Sequence, residues 1–210
     1  MKIALTGTAA TGKTTLAVAL ARQLDVVLLE ENLRAVVAAL IALKKIRRDG
    51  NDDTGAKNTA RRACLNWLNE SRAQAQSLTG FVADRTAADI FMRWTSFRLS
   101  RNDAEFWRLF RGCKTQMSQL DWIVVPPLKR MGNDETNEAG IRRAESHDLR
   151  FYDHSSIIGI LLQMVPAKRL IFIPDRAGTV EQRLAFVMLK LRPDHSHPVD
   201  TAMGISGTPD

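Results

Sequence analysis

Apolar residues along this chain fall into two rhythms. Five short runs are almost continuously apolar and rich in β-branched residues: KIALT (2–6), DVVLL (25–29), GFVAD (80–84), DWIVV (121–125) and RLIFI (169–173). Strands covered on both faces of a parallel sheet read this way, because neither face alternates with solvent. Between them, apolar residues recur at helical spacing over 14–24, 33–46, 59–78, 86–99, 103–120, 155–164 and 179–191. The second of these stretches ends in Lys and Arg, which suit the negative end of a helix dipole. Strand–helix alternation predicts a three-layer α/β fold, a five-stranded parallel sheet flanked by helices with right-handed crossovers.

Two polar segments interrupt the rhythm. Residues 47–57 (RRDGNDDTGAK) read as a loop, and residues 128–148 form a long charged segment after the fourth strand. A polar segment of that length in a compact domain reads as functional or disordered; a lid is the functional reading and a solvated loop of mixed charge the plainer one. The tail, 192–210, carries three prolines and no periodicity, and reads as flexible. The organisation expected is one domain over 1–191 followed by that tail.

Length and composition narrow the class. A chain of 210 residues with 45% hydrophobic and 25% charged residues suits one soluble domain with a sizeable core. The most apolar stretch, 33–43, is too short to span a bilayer and contains Arg34. Cys64 and Cys113 are far apart with no CxxC spacing, which argues against a disulfide scaffold or a structural zinc site. A strand begins almost at once, where a secretory signal would be apolar and longer. The expectation is a cytoplasmic protein with no membrane contact. A net charge of +7 admits polyanionic partners, nucleic acid among them, but the basic residues are spread rather than clustered.

The segment after the first strand carries the chemistry. Gly7, Gly12, Lys13 and Thr14 fit G-x-x-x-x-G-K-[ST], placed between a strand and an amphipathic helix as that motif requires. Glycine at the turning positions lets the backbone N–H groups of Thr8, Ala9, Ala10 and Thr11 close around an anion, and the helix beginning near Lys13 adds its positive end. In this reading Lys13 reaches the β- and γ-phosphates of a nucleoside triphosphate, the Thr14 hydroxyl ligates Mg²⁺, and Thr15 contacts the α-phosphate. ATP is the expected nucleotide, with GTP also open.

A phosphate loop needs a carboxylate from a neighbouring strand. GFVADR ends in Asp84, which would bind Mg²⁺ or accept a proton from an attacking hydroxyl, and Arg85, which would hold an acceptor phosphate or the transferring group. The plainer alternative makes Asp84 a helix cap and pairs Arg85 with a surface acid. At the end of the second strand, Glu30, Glu31 and Arg34 stand where open α/β sheets bind ligands. Glu31 is a candidate base or hydroxyl clamp and Arg34 a substrate contact, against the plainer reading of an acidic helix start. Residues 128–148 offer Lys129, Arg130, Arg142 and Arg143, of which Arg142 and Arg143 best suit contact with developing charge. Phe91, Trp94, Phe97 and Trp107 fit core packing; Trp94 could instead stack on a base or pyridine ring. His147 and His154 have no metal-pair spacing and read as surface or lid residues.

With GTAATGKTTL, EENLR, FVADRTAAD, DWIVVPP, AGIRR and TVEQRL in place, the chain resembles the P-loop family that contains the nicotinamide-riboside kinase domain of NadR-type proteins and related AAA-type ATP-binding proteins, within the adenylate-kinase-like group. The resemblance runs from residue 1 to about 191. It implies a three-layer P-loop NTPase fold, ATP at Gly12–Thr15, Mg²⁺ near Thr14 and Asp84, acceptor contacts from Glu31, Arg34 and Arg85, and a lid contact from Arg142. The chain departs from the family at Ala139, where the lid pattern has Asp, and in a longer helical insert over about 50–79. The functional expectation is an ATP- and Mg²⁺-dependent phosphotransferase acting on a small nucleoside- or nucleotide-like acceptor. The alternatives are an ATP-hydrolysing regulatory or partner-binding protein, and a kinase of nucleic-acid 5′ ends favoured by Arg61, Arg62 and Arg72.

Overall fold

A computed structural model describes residues 1–30, 32–128 and 147–192. Five strands form one all-parallel sheet: β1 (Lys2–Leu5), β2 (Val27–Leu29), β3 (Phe81–Asp84), β4 (Trp122–Val125) and β5 (Leu170–Phe172), in the spatial order β2-β3-β1-β4-β5. All five coincide with the apolar runs read from the sequence. Among the described residues, seven α-helices flank the sheet: α1 (Lys13–Leu24), α2 (Arg34–Arg48), α3 (Thr54–Gln76), α4 (Ala87–Ser96), α5 (Asp103–Ser118), α6 (His147–Met164) and α7 (Val180–Lys190).

The continuous apolar runs are explained by two cores, one on each face of the sheet. Ile3, Leu5, Val82, Val124 and Ile171 point into a layer shared with Leu16 and Leu20 of α1 and Val187 of α7. Their chain neighbours Ala4, Phe81, Ile123, Val125 and Leu170 point the other way, into a larger layer built with α2 to α6. Because side chains alternate at period two, a strand apolar at every position must be covered twice.

Two elements differ from their expected bounds. The predicted loop 47–57 contracts, because α2 continues to Arg48 and α3 starts at Thr54. The region 50–79 is dominated by the single 23-residue helix α3, about 35 Å long at 1.5 Å per residue. More consequentially, α6 begins at His147, eight residues before the helix start expected at 155. Nothing in 147–154 breaks a helix, and buried Arg150 anchors the added turns. Asn102 caps α5 by accepting the Glu105 N–H at 2.9 Å, and Thr179 caps α7 through a capping box with Gln182.

Parallel register places the chemistry. Leu5 of β1 pairs with Asp84 of β3, so the segment leaving β1 emerges beside the Asp84 carboxylate. With β1 at the centre of the sheet, that segment can be reached from α4, α6 and α7.

Candidate phosphate-binding site

Residues 6–12 connect β1 to α1. Gly7 (φ 136°) and Gly12 (φ 79°) adopt conformations that disfavour any Cβ. At Gly12, moreover, a Cβ would come within 3.1 Å of the Arg183 guanidinium.

The loop's carbonyls are held by cationic side chains. Gly7 O accepts from Arg85 Nη1 at 2.7 Å, Thr8 O from Lys13 Nζ at 2.5 Å, Ala9 O from Arg150 Nη2 at 3.3 Å, and Thr11 O from Arg183 Nη1 at 2.6 Å. These cations come from the β3–α4 junction, α1, α6 and α7. A peptide whose carbonyl is fixed on one side presents its N–H on the other, so this arrangement suits the loop to surround an anion.

Beneath the loop lies a buried acid. Asp89 is 1% exposed. Its Oδ2 accepts from the Thr6 hydroxyl at 2.7 Å, the Thr86 N–H at 2.9 Å and the Thr86 hydroxyl at 2.8 Å, while Oδ1 receives Arg85 at 2.9 Å. Burial alone would raise its pKa, but the Arg85 and Lys13 charges and the Thr6 and Thr86 hydrogen bonds outweigh it and hold the carboxyl below its usual range. Asp89 thereby ties the loop's first residue to the start of α4. Arg85 sits at φ 143°, sparsely populated for a residue with a Cβ, and its guanidinium is anchored at both Gly7 and Asp89.

Asp84 takes a different role from the cap considered for it. Helix α4 is capped by Thr86 with Asp89, and Asp84 Oδ2 accepts the Thr14 hydroxyl at 2.6 Å. Asp84 Oδ1 is buried with no hydrogen-bond partner among the described residues. A hydroxyl beside a carboxylate with an oxygen in reserve fits Mg²⁺, which takes hard oxygen donors and keeps few protein ligands alongside water and phosphate. Among the described residues no group of three or more His, Cys, Asp or Glu forms a metal cage.

The other candidates are distributed as follows. Thr15 is exposed in the first turn of α1. Arg34 is exposed as the first residue of α2. Trp94 is 1% exposed, donates its indole N–H to Ser100 Oγ at 2.8 Å, and has the Arg61 guanidinium over its ring at 5.8 Å, as core packing requires. Arg61 is itself buried and paired with Glu105, which removes one of the three arginines that favoured nucleic acid. Glu31, Lys129, Arg130, Arg142 and Arg143, with most of the expected lid and residues 193–210, lie outside the described residues.

Sequence reasoning missed Arg150, Arg183 and His154 at this site. Arg150 is 1% exposed, and its Nε and Nη1 have no hydrogen-bond partner among the described residues. His154, expected at the surface or in a lid, is half-buried against Gly7. The signal available was the absence of a helix breaker in 147–154, which puts Arg150 and His154 one turn apart on one helical face. Arg183 gave no signal, because a single Arg in an amphipathic helix reads as solvated.

A family model described as an AAA domain matches residues 2–171. No curated protein matches the chain. Among solved structures, the chain is similar to a deoxyadenosine kinase from M. mycoides bound to dCMP as product and a flexible dCDP, with a TM-score of 0.60 and 16% identity over 91% of this chain and 98% of that one. It is also similar to a NadR protein in complex with NR, with a TM-score of 0.56 and 20% identity over 90% of this chain and 50% of that one. This chain thus has the P-loop kinase fold, and its helix-flanked parallel sheet is the architecture read from the sequence. No helix among the described residues is long and apolar enough to cross a membrane.

Proposed function

The chain belongs to this family of AAA domains, and from that premise we propose that it is an ATP- and Mg²⁺-dependent phosphotransferase acting on a small nucleoside- or nucleotide-like acceptor. The observation that carries the reading is the loop itself, with four carbonyls held by cations and Lys13, Thr14 and Asp84 meeting where β1 and β3 end.

The loop N–H groups and the start of α1 bind the polyphosphate. Lys13 exchanges Thr8 O for the β- and γ-phosphate oxygens. Thr14 and Asp84 would hold Mg²⁺, which when bound would neutralise charge on the phosphate oxygens. Arg150, at Ala9 with two guanidinium nitrogens in reserve, supplies positive charge to the transferring group. Arg85 is the positioning residue between Gly7 and Asp89, a role distinct from the acceptor contact first considered for it. Asp84 and Thr14 are assigned to the metal, so Glu31 is our candidate for the acceptor hydroxyl and its proton, with Arg34 and Arg142 as candidate contacts; Glu31 and Arg142 lie outside the described residues. Chemistry then rests on positioning and charge stabilisation rather than a covalent intermediate.

A labelled-phosphate screen tests this. Incubation with γ-labelled ATP and Mg²⁺ over nucleosides, nucleotides, nicotinamide riboside and short oligonucleotides is expected to label one small acceptor class. Label released only as inorganic phosphate would favour the hydrolytic switch, and label on oligonucleotides the 5′-end kinase.

A further inference from the structure

Helix α6 sends two side chains to the loop from one face. Arg150 reaches Ala9 O, and one turn later His154 lies against Gly7. A Cβ on Gly7 would stand 3.6 Å from His154 Nδ1 and 3.7 Å from its Cε1, with Thr11 Oγ1 3.9 Å away. The imidazole and the Thr11 hydroxyl therefore converge beside the loop's first glycine. His154 Nδ1 is buried and has no hydrogen-bond partner among the described residues.

The charged groups acting on this ring are Lys13 from α1, Arg150 from α6 and Asp175 from the β5–α7 connection. Burial is the largest influence, followed by the repulsion of Lys13 and Arg150; together they outweigh Asp175 and hold the imidazole below its usual range. Lys13 and Arg150 are also the cations that a polyphosphate on the loop would neutralise. An anion arriving there removes their repulsion and gives the buried nitrogen an acceptor.

We propose that His154 is a proton-linked phosphate ligand, neutral in the unliganded protein and protonated when a nucleotide's polyphosphate occupies the loop. The proton comes from solvent, adds to the ring nitrogen that lacks one, and leaves both nitrogens as donors, with Nδ1 turned to a phosphate oxygen. Nucleotide binding thus takes up a proton, and affinity rises as pH falls through the slightly acidic range. The inference rests on the loop holding a nucleotide, as in the function proposed above.

Calorimetric titration of the full chain with MgADP, in two buffers of different ionisation enthalpy at pH 6.5, measures the protons exchanged. Wild type is expected to take up a substantial fraction of a proton that His154→Asn and His154→Gln do not, with affinity steepening toward about tenfold per pH unit where uptake is complete. The nitrogen shifts of the wild-type His154 ring are expected to move to imidazolium values on saturation, a readout independent of how the variants fold. Equal proton uptake in wild type and folded variants, or unchanged ring shifts on binding, overturns the inference and leaves the nucleotide site standing. If MgADP does not bind at all, the site and the inference fall together.

Discussion

The two ends of the proposed reaction are built differently. On the phosphate side the loop and the start of α1 are tied at six points: Thr6 to Asp89, Gly7 to Arg85, Thr8 to Lys13, Ala9 to Arg150, Thr11 to Arg183 and Thr14 to Asp84. On the proposed acceptor side β2 is three residues long with Val27 half exposed, Glu30 and Arg34 face solvent, and α2 starts without a side-chain cap. A polyphosphate is the same shape in every triphosphate, so a site for it is best fixed before binding, when reorganisation is avoided at the moment of reaction. Acceptors differ, and a sheet edge with few hydrogen bonds opens and adapts at lower free-energy cost.

Substitutions on the phosphate side are expected to act strongly and on catalysis or folding, whereas those on the acceptor side act weakly on both nucleotide affinity and stability. The largest effect is expected from Lys13→Ala, which should lower phosphate transfer roughly 1,000-fold with the thermal midpoint nearly unchanged, read by labelled transfer and circular dichroism. Asp89→Ala should follow, destabilising the fold by about 3 kcal/mol in urea titration, because Arg85 is left buried beside the lost carboxylate. Arg150→Ala should lower turnover roughly 100-fold with a smaller change in MgATP affinity, the split expected of a group acting on transferring charge.

A gentler effect is expected from pH. His154 has its pKa lowered by folding, so between that value and its unfolded value the unfolded chain binds more protons and stability rises with pH. The unliganded protein should therefore lose stability as pH falls from 7 through the range below 6.5, and His154→Asn should flatten that slope in urea midpoints measured across pH. The smallest effect belongs to Arg34→Ala, expected to change MgATP affinity by no more than about twofold and stability by no more than about 0.5 kcal/mol, while raising the KM for acceptor. A large loss of MgATP affinity in that variant would erase the contrast between the two sides.

The sheet was legible in the sequence because a doubly covered parallel strand has no exposed face to interrupt its apolar run. The loop was legible because Gly7, Gly12, Lys13 and Thr14 must stand at fixed spacing for backbone, dipole and ammonium to meet one phosphate. Asp84 followed from β3 ending beside β1. What stayed hidden came from distant helices: Arg150 and Arg183 lie 141 and 172 residues from the carbonyls they hold. Helical periodicity marks an Arg as polar and therefore solvated, and it carries no information about a loop carbonyl brought close by tertiary packing. Asp89 was visible only as the acid following DR. Its hydrogen bond to Thr6 depends on α4 starting directly under the loop.

We read the 6–12 loop, with Lys13 and Thr14 at the start of α1, as a triphosphate cradle formed before the nucleotide arrives. Isothermal titration of MgATP into the wild-type chain, with Lys13→Ala and Arg34→Ala alongside, tests it most directly. The result expected is one nucleotide per chain, binding strongly weakened in Lys13→Ala and nearly unchanged in Arg34→Ala, with both variants folded. Binding of equal strength in wild type and Lys13→Ala, or no binding to the wild-type chain, would contradict it.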